Sequence, residues 1–472
     1  MLLRTLPSVE KLRVHPLLLP LPETLAIQLA RTAIAQVRAQ VQSGAIAQQQ
    51  QVQEMLEKAL KTLTDPLTKP SLRRILNGSG VLLHTNAGRA PLPAEAIAAL
   101  VESARGYSNL ELSLTDGRRS SRQDHLRPLL QLATGAESAL VVNNGAAAVL
   151  LALHALARGR QVLVSRGELV EIGGGFRIPE VLTAAGTHLL EVGTTNRTHL
   201  RDFEKALAKD KTGQIAAILQ VHRSNFALVG FTKTVELAEL ATLAHAHNLP
   251  LIVDMGSGAL QGVTPGLQQA FEREPVVTQV LAAGADLVLF SGDKFVGGPQ
   301  AGIIVGKEQW IQELVQNAMA RALRVDNLTI AALETVLRLH LLGQAEAKLP
   351  VLAAVALTPD QVQARAQGLA DRVRAGLPGQ WEVDLQPGET QLGGGTDPLV
   401  RLPTTLLTIA HDSLSAADLH QRFLQARLAI LGRPRGNQVL LDVRSLLAGS
   451  HGASDAELAA ELLEGLQGAG TV

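Results

Sequence analysis

Six short apolar runs that alternate with helical patterns constrain this chain more than any other feature of its sequence. The strands predicted from them cover residues 139–142, 161–165, 188–192, 215–221, 250–254 and 285–290. Helices are predicted between them, for example over residues 146–157 and 235–246. Strands and helices that alternate in this way form a mostly parallel sheet with helices on both faces. Ligands bind to such sheets beyond the carboxyl ends of the strands, so we expect the functional site there.

Two further regions flank this α/β core. In the first, apolar spacing predicts one amphipathic helix over residues 22–53, and Pro66 and Pro70 indicate a boundary. Beyond Asp326, a smaller α/β domain is indicated by predicted helices (residues 328–342, 359–375 and 415–426) and strands (residues 399–402, 406–409 and 439–443). The chain is therefore predicted to contain three domains, which cover residues 1–70, 71–327 and 328–472.

The composition excludes several classes of protein. The chain has no cysteine, which excludes a disulfide scaffold, a thiolate metal site and a thiol nucleophile, and we predict no metal. No run reaches the ~20 apolar residues of a membrane span, and the first ten residues do not resemble a secretory signal. We therefore expect a cytoplasmic protein with no membrane partner.

The charges are balanced over the whole chain but not within it. The 43 Lys and Arg residues equal the 43 Asp and Glu residues, which excludes a wholly basic nucleic-acid binder. Residues 1–74 nevertheless carry ten basic and five acidic side chains. This surplus indicates either a solvated helical face or a surface for a polyanion.

Three motifs at predicted strand ends together indicate a cofactor site. The segment FSGDKFVGGPQAGIIV (residues 290–305) places Lys294 after a strand, where partial desolvation lowers the pKa of the amine and makes it a nucleophile. Asp254 ends another strand, and an acid there can pair with a protonated pyridine nitrogen. The segment ALVVNNGAAAV (residues 139–149) begins a helix whose free N–H groups can hold a phosphate, with Ser291 as a further donor. Each motif alone has an ordinary structural explanation, but the combination predicts pyridoxal 5'-phosphate held as a Schiff base by Lys294.

Three arginines form a further candidate set. Arg89 lies in LLHTNAGRAP (residues 82–91), and Arg321 and Arg324 are three residues apart on a predicted helix, where they would share a face. Guanidinium groups suit tetrahedral oxyanions. The alternative is that these arginines form ordinary surface salt bridges.

Longer segments resemble the bacterial selenocysteine synthases, the L-seryl-tRNA(Sec) selenium transferase family, along almost the whole chain. They are LPSVEKL (6–12), ILNGSGVLLHTN (75–86), YSNLE (107–111), SRGELVEIGGGFRIPE (165–180), VGTTNRTH (192–199) and residues 291–306. The resemblance implies the fold-type-I architecture of pyridoxal-phosphate enzymes. Its large domain has a mostly parallel seven-stranded sheet, with a small C-terminal α/β domain and an N-terminal helical tRNA-binding domain. It also implies homo-oligomers built from dimers, typically decamers.

The resemblance also implies a role for each candidate residue. Lys294 would form the Schiff base beside the acid Asp293, and Asp254 would pair with the pyridine nitrogen. The remaining cofactor contacts would come from Asn144, Gly145 and Ala146 at the phosphate and from His222 at the ring hydroxyl. The selenophosphate site would consist of Arg89, Arg321 and Arg324. Gly145 departs from the family, which usually has asparagine there; a backbone contact to the phosphate would survive this change, whereas a side-chain contact would not.

The reaction implied is a β-replacement on a tRNA-bound serine. L-seryl-tRNA(Sec) would become L-selenocysteinyl-tRNA(Sec) through a dehydroalanyl-tRNA aldimine, with selenophosphate as the selenium donor. Lys294 would remove the Cα proton, and Asp293 or Lys294 would protonate the leaving hydroxide. One alternative is a related pyridoxal-phosphate lyase acting on a phosphorylated amino sugar, which would lack the N-terminal tRNA-binding domain. The other is a non-catalytic tRNA-binding homologue, which the presence of Lys294, Asp254 and the arginines disfavours.

Overall fold

The computed structural model describes residues 2–172, 175–260, 267, 274–450 and 452–470. Of the family segment at residues 165–180, Gly173 and Gly174 therefore lie outside the described residues. Contacts divide the chain into two compact units, Met1–Arg74 and Ile75–Val472. The division into three domains stays a prediction. Within the described ranges, no helix has both the length and the apolar character that crossing a bilayer requires.

The first unit is a helical hairpin with its own apolar core. A 3-10 turn (Leu2–Thr5) and helix α1 (Val9–Leu12) precede the two long helices α2 (Glu23–Gln42) and α3 (Gln49–Thr68). Helices α2 and α3 pack together through apolar side chains that are spaced at helical intervals and buried. The prediction of one helix over residues 22–53 is wrong, because the chain turns after Gln42, where Gly44 has a positive φ of 79°. Pro66 lies inside α3, so this proline does not end the helix.

The strands of the second unit follow the alternation seen in the sequence. They are β1 (Ile75–Asn77), β2 (Val81–Leu83), β3 (Ser138–Val142), β4 (Gln161–Ser165), β5 (Glu171–Ile172), β6 (Phe176–Arg177), β7 (His188–Val192), β8 (Ile215–Val221), β9 (Leu251–Gly256), β10 (Leu287–Ser291), β11 (Gly302–Gly306), β12 (Trp381–Gly393), β13 (Arg401–His411), β14 (Ala429–Leu431), β15 (Arg433–Arg435) and β16 (Gln438–Asp442).

The helices of this unit lie between and after those strands. They are α4 (Ala94–Ala104), α5 (Arg127–Thr134), α6 (Gly145–Ala157), α7 (Ile178–Ala184), α8 (Leu200–Lys209), α9 (Leu237–Ala246), α10 (Val277–Ala282), α11 (Glu308–Gln316), α12 (Ala318–Ala322), α13 (Asn327–Leu341), α14 (Ala345–Lys348), α15 (Pro350–Ala356), α16 (Pro359–Gly376), α17 (Ala416–Gln425), α18 (Val443–Ala448) and α19 (Asp455–Gly470). Short 3-10 turns occur at Thr85–Ala87, Arg122–His125 and Arg166–Glu168.

The central sheet has seven strands in the order β3-β11-β10-β9-β8-β4-β7. All neighbouring strands are parallel except β11, which is antiparallel to both β3 and β10. This confirms the predicted mostly parallel seven-stranded sheet. Successive side chains of a strand point to opposite faces, so Val141 belongs to one apolar core and its neighbours Leu140 and Val142 to the other. The sheet is thus buried on both faces, as a parallel sheet requires.

A second sheet, with the order β15-β16-β13-β12-β2, supports the C-terminal part of the unit. Helices α16, α17 and α19 contribute to the apolar core against it. Strand β2 enters this sheet parallel to β12, with Leu83 opposite Gly393. The prediction of separate strands over residues 399–402 and 406–409 is wrong, because one continuous strand, β13, begins at Arg401 and runs to His411. Strand β12 was not predicted, since Pro387, Gly388 and many exposed polar residues obscure its alternation.

Candidate active site

Lys294 and Asp254 are brought together at the carboxyl ends of two neighbouring strands. Asp254 lies on β9 and Lys294 follows the parallel strand β10, and their exposed fractions are only 8% and 4%. Burial lowers the pKa of the Lys294 amine, and the Asp254 carboxylate only partly opposes this effect. Burial likewise raises the pKa of Asp254 against the opposing charge of Lys294. The pair therefore supplies an amine that loses its proton more readily than a solvated lysine does, which is the state that acts as nucleophile or base.

Arg89 and Asp293 form an ion pair beside this lysine. Arg89 Nη1 lies 2.7 Å from Asp293 Oδ2, and the aspartate is 6% exposed. Arg89 has a positive φ of 61°, a strained conformation for a residue with a side chain, and such strain is often found at functional sites. A cavity of about 570 Å³ lies beside the pair and is lined partly by Thr85, Gly88 and Gln300. Asp293 and Arg89 thus line this cavity and place their paired charges near Lys294.

The beginning of helix α6 can hold a phosphate. Asn144 caps the helix, because its Oδ1 accepts a hydrogen bond from the Ala147 amide at 2.8 Å. No described residue accepts a hydrogen bond from the amides of Gly145 or Ala146. A Cβ added to Gly145 would lie 2.7 Å from Ser291 Oγ, so this hydroxyl faces the helix start. Two free amides and a hydroxyl at a helix N-terminus form a site for an oxyanion.

His222, which is partly buried, lies beside buried polar residues that the sequence analysis did not identify. The His222 amide donates to the Asp254 carbonyl at 2.8 Å, and its Nε2 lies 3.5 Å from Glu274 Oε2. Ser257 Oγ donates to the same Glu274 oxygen at 2.6 Å. Ser224 Oγ and Glu274 Oε1 are buried without a partner among the described atoms. Ser257 lies in the same DMGSG turn as Asp254, but no sequence signal marks Glu274 or Ser224.

Arg321 and Arg324 do not share a helical face, so that prediction is wrong. Helix α12 ends at Ala322, and Arg324 instead forms an isolated antiparallel bridge with Val142. Arg324 Nη1 lies 3.4 Å from Glu111 Oε1, an oxygen that is also 2.7 Å from Arg122 Nη2. Glu111 lies in the YSNLE segment, but the sequence analysis gave it no role. The structure therefore places Arg324 beside the β3–α6 connection, whereas Arg321 is exposed on α12.

The arrangement fits pyridoxal 5'-phosphate. The start of α6 offers donors to a phosphate, the Asp254 carboxylate can face a pyridine nitrogen, and the Lys294 amine can bond to an aldehyde. The buried Ser224 hydroxyl has no protein partner among the described residues, which suits a polar group bound beside it. Within the described ranges, no cluster of three or more His, Asp or Glu side chains could hold a metal ion.

Comparisons with known proteins show the family to which the chain belongs. The family model "SelA: L-seryl-tRNA selenium transferase" matches residues 75–447. The L-seryl-tRNA(Sec) selenium transferase of Geobacter metallireducens is 44% identical over 90% of this chain and 91% of its own. That of Nitratidesulfovibrio vulgaris is also 44% identical, over 94% and 96%. Among solved structures, D-glucosaminate-6-phosphate ammonia-lyase aligns with a TM-score of 0.54 at 20% identity, covering 85% of this chain and 97% of that one. This last likeness concerns the fold, and it confirms the predicted fold class.

Proposed function

Because this chain belongs to the L-seryl-tRNA selenium transferase family, we propose that it converts L-seryl-tRNA(Sec) to L-selenocysteinyl-tRNA(Sec). The cofactor is pyridoxal 5'-phosphate and the selenium donor is selenophosphate. The observation that carries the proposal is the buried amine of Lys294 beside the Asp254 carboxylate.

The residues that hold the cofactor come from four strand ends. The amides of Gly145 and Ala146, with Ser291 Oγ and the Asn144 side chain, would contact its phosphate. Asp254 would pair with the pyridine nitrogen, His222 would contact the ring and Lys294 would bond to the aldehyde. When bound, the cofactor withdraws the electrons that remain on the serine Cα after its proton is lost.

Lys294 moves the protons of the reaction. Burial lowers the pKa of its amine, so the free amine can take the Cα proton of the seryl group. The serine hydroxyl is a poor leaving group and needs a proton as it departs. The Asp293 carboxylate is already paired with Arg89 at 2.7 Å, so the newly protonated Lys294 is the better donor. Serine thus loses water, and both proton transfers use one nitrogen.

The arginines bind the oxyanionic selenium donor. Arg89 borders the cavity beside Asp293, and Arg324 lies next to the β3–α6 connection. Arg321, which precedes Arg324 by three residues, is exposed and adds positive charge. Since the chain has no cysteine, selenium cannot travel on a thiol of this chain. It forms the Cβ–Se bond directly from the bound donor, whose P–Se bond breaks as water takes the phosphoryl group and phosphate is released.

We assign one surface of the chain to the tRNA and another to a second subunit. Residues 1–70 form the tRNA-binding domain, which is supported by the surplus of basic side chains over residues 1–74. The chain assembles into dimer-based homo-oligomers, with the decamer as the expected size. The apolar side chains of Val229 and Phe231, each 83% exposed, support burial of this surface against another copy. Its tRNA substrate places the protein in the cytoplasm.

The decisive experiment incubates the purified protein with seryl-tRNA(Sec) and selenophosphate. We expect loss of serine and gain of selenium on the tRNA, and no reaction after Lys294→Ala. The exposed Lys209→Ala variant is the matched control and should retain activity. Turnover of a phosphorylated amino sugar without turnover of the tRNA would instead identify a lyase. Tight tRNA binding without any chemistry would identify a non-catalytic homologue.

A further inference from the structure

Three consecutive glycines, residues 393–395, end β12 and begin a loop whose backbone lies against the active site. For each glycine, the place of a Cβ is already taken by another group. A Cβ on Gly393 would lie 2.7 Å from the Leu83 carbonyl oxygen, and one on Gly394 would lie 2.9 Å from Thr85 Oγ1. A Cβ on Gly395 would lie only 2.1 Å from Lys294 Nζ and 2.6 Å from Lys294 Cε. Backbone without side chains therefore packs directly on the lysine.

The glycine loop is anchored by its pairing in the sheet and by a buried threonine. Gly393 pairs with Leu83 in the sheet, and Thr396 Oγ1 donates to the Gly393 carbonyl at 2.7 Å. Thr396 is fully buried, and Gly395 has a φ of +82°, a conformation that favours glycine. A lysine side chain, by contrast, has four rotatable methylenes. A Cβ at position 395 would consequently displace the lysine rather than the loop.

A second glycine lies near the same amine. A Cβ on Gly256, at the end of β9, would lie 3.5 Å from Lys294 Nζ. Gly256 also donates its amide to Asp254 Oδ1 at 3.1 Å, which fixes the turn that carries the acid. The Lys294 amine thus lies near the backbones of both Gly256 and Gly395 and close to Asp254.

We propose that Gly395 is a positioning residue, which sets the orientation of the Lys294 amine because it carries no Cβ. The inference rests on the proposed function, in which Lys294 bonds to the cofactor. In that step the amine nitrogen forms a C=N bond to the aldehyde carbon, and the aldehyde oxygen leaves as water. An alanine at position 395 moves the Lys294 amine away from its present position and slows this step.

The test compares Gly395→Ala with Gly379→Ala in the full chain. Gly379 is a suitable control because a Cβ there would meet no atom within 4 Å. Each variant is mixed with pyridoxal 5'-phosphate, reduced with borohydride at timed intervals, digested and analysed by peptide mass. We expect labelling of residue 294 to be at least tenfold slower in Gly395→Ala and unchanged in Gly379→Ala. Labelling of Gly395→Ala at the rate of the parent would overturn the inference.

Thermal unfolding of the cofactor-free protein separates positioning from a general structural defect. We expect Gly395→Ala to lower Tm more when Lys294 is present than in a Lys294→Ala background, where the contact is gone. Equal decreases in Tm in both backgrounds would mean that Gly395→Ala acts through backbone strain alone, and would refute the inference. If the parent chain itself takes no label at residue 294, the proposed function fails instead, so the two failures are distinguishable.

Discussion

Replacing Glu168 by glutamine should make the stability of this chain less dependent on pH. Glu168 ends the 3-10 turn Arg166–Glu168 and is 7% exposed, and its Oε2 accepts a hydrogen bond from the Val221 amide at 3.1 Å. Burial raises the pKa of this carboxyl from 4.5 to about 7, against the opposing effects of the Val221 amide and the charges of Arg223 and His222.

The size of this pH dependence of the free energy of unfolding follows from the linkage between protonation and folding. Between pH 4.5 and 7 the folded chain retains the Glu168 proton while the unfolded chain releases it, so the free energy of unfolding falls as pH rises. A shift from 4.5 to about 7 corresponds to about 3 kcal/mol, at roughly 1.36 kcal/mol per pKa unit. Glutamine keeps an oxygen for the Val221 amide but does not titrate. The stability of Glu168→Gln relative to the parent should therefore rise by about 3 kcal/mol from pH 4 to pH 8.

Urea unfolding at pH 4, 6 and 8 measures this difference. The parent and Glu168→Gln are compared with Glu382→Gln, which removes an exposed carboxyl from β12. Any constant cost of burying the amide cancels, because only the change with pH is used. Parallel pH profiles for the parent and Glu168→Gln would refute the reasoning, since they would mean that Glu168 titrates alike in the folded and unfolded chains.

Three further predictions concern the site. Lys294→Ala should remove the absorbance band of cofactor bonded to the lysine; a retained band would contradict the covalent role. Gly145→Ala places a Cβ 2.7 Å from Ser291 Oγ and should weaken cofactor binding several-fold, as measured by titration. Unchanged binding would mean that the Ser291 hydroxyl does not contact the phosphate. Glu111→Gln removes a carboxylate 3.4 Å from Arg324 and should raise the KM for selenophosphate several-fold while kcat changes little. An unchanged KM would mean that this contact does not orient the guanidinium.

Much of the sheet was predictable because its strands are buried on both faces. Such strands are continuous apolar runs, and the helices between them supply a clear change of period. Strand β12 lacks this signal: it is an antiparallel strand with Pro387 and Gly388 in its middle and polar residues along its exposed side. The break after Gln42 was also missed, because apolar residues continue beyond it at intervals that suit a helix.

The site was predictable where function depends on a residue at a strand end. Lys294, Asp254 and Asn144 follow this rule, which topology alone provides. The contacts of Glu274, Ser224 and Gly395 depend on how distant loops fold back. The prediction for Arg321 and Arg324 assumed a longer helix, whereas the chain leaves α12 at Ala322 to pair with Val142.

The pairing of β2 with β12 has a consequence for the order in which the nascent chain matures. Strands β1 and β2 emerge early from the ribosome, but their partners β14 and β12 are synthesised several hundred residues later. Until then the early strands present open edges, which favour association with other chains. The glycine loop that confines Lys294 follows β12, so translation must run far beyond the lysine codon before the amine is enclosed. Cofactor capture is therefore a late event in biogenesis, and truncated chains that end before β12 should fail at it.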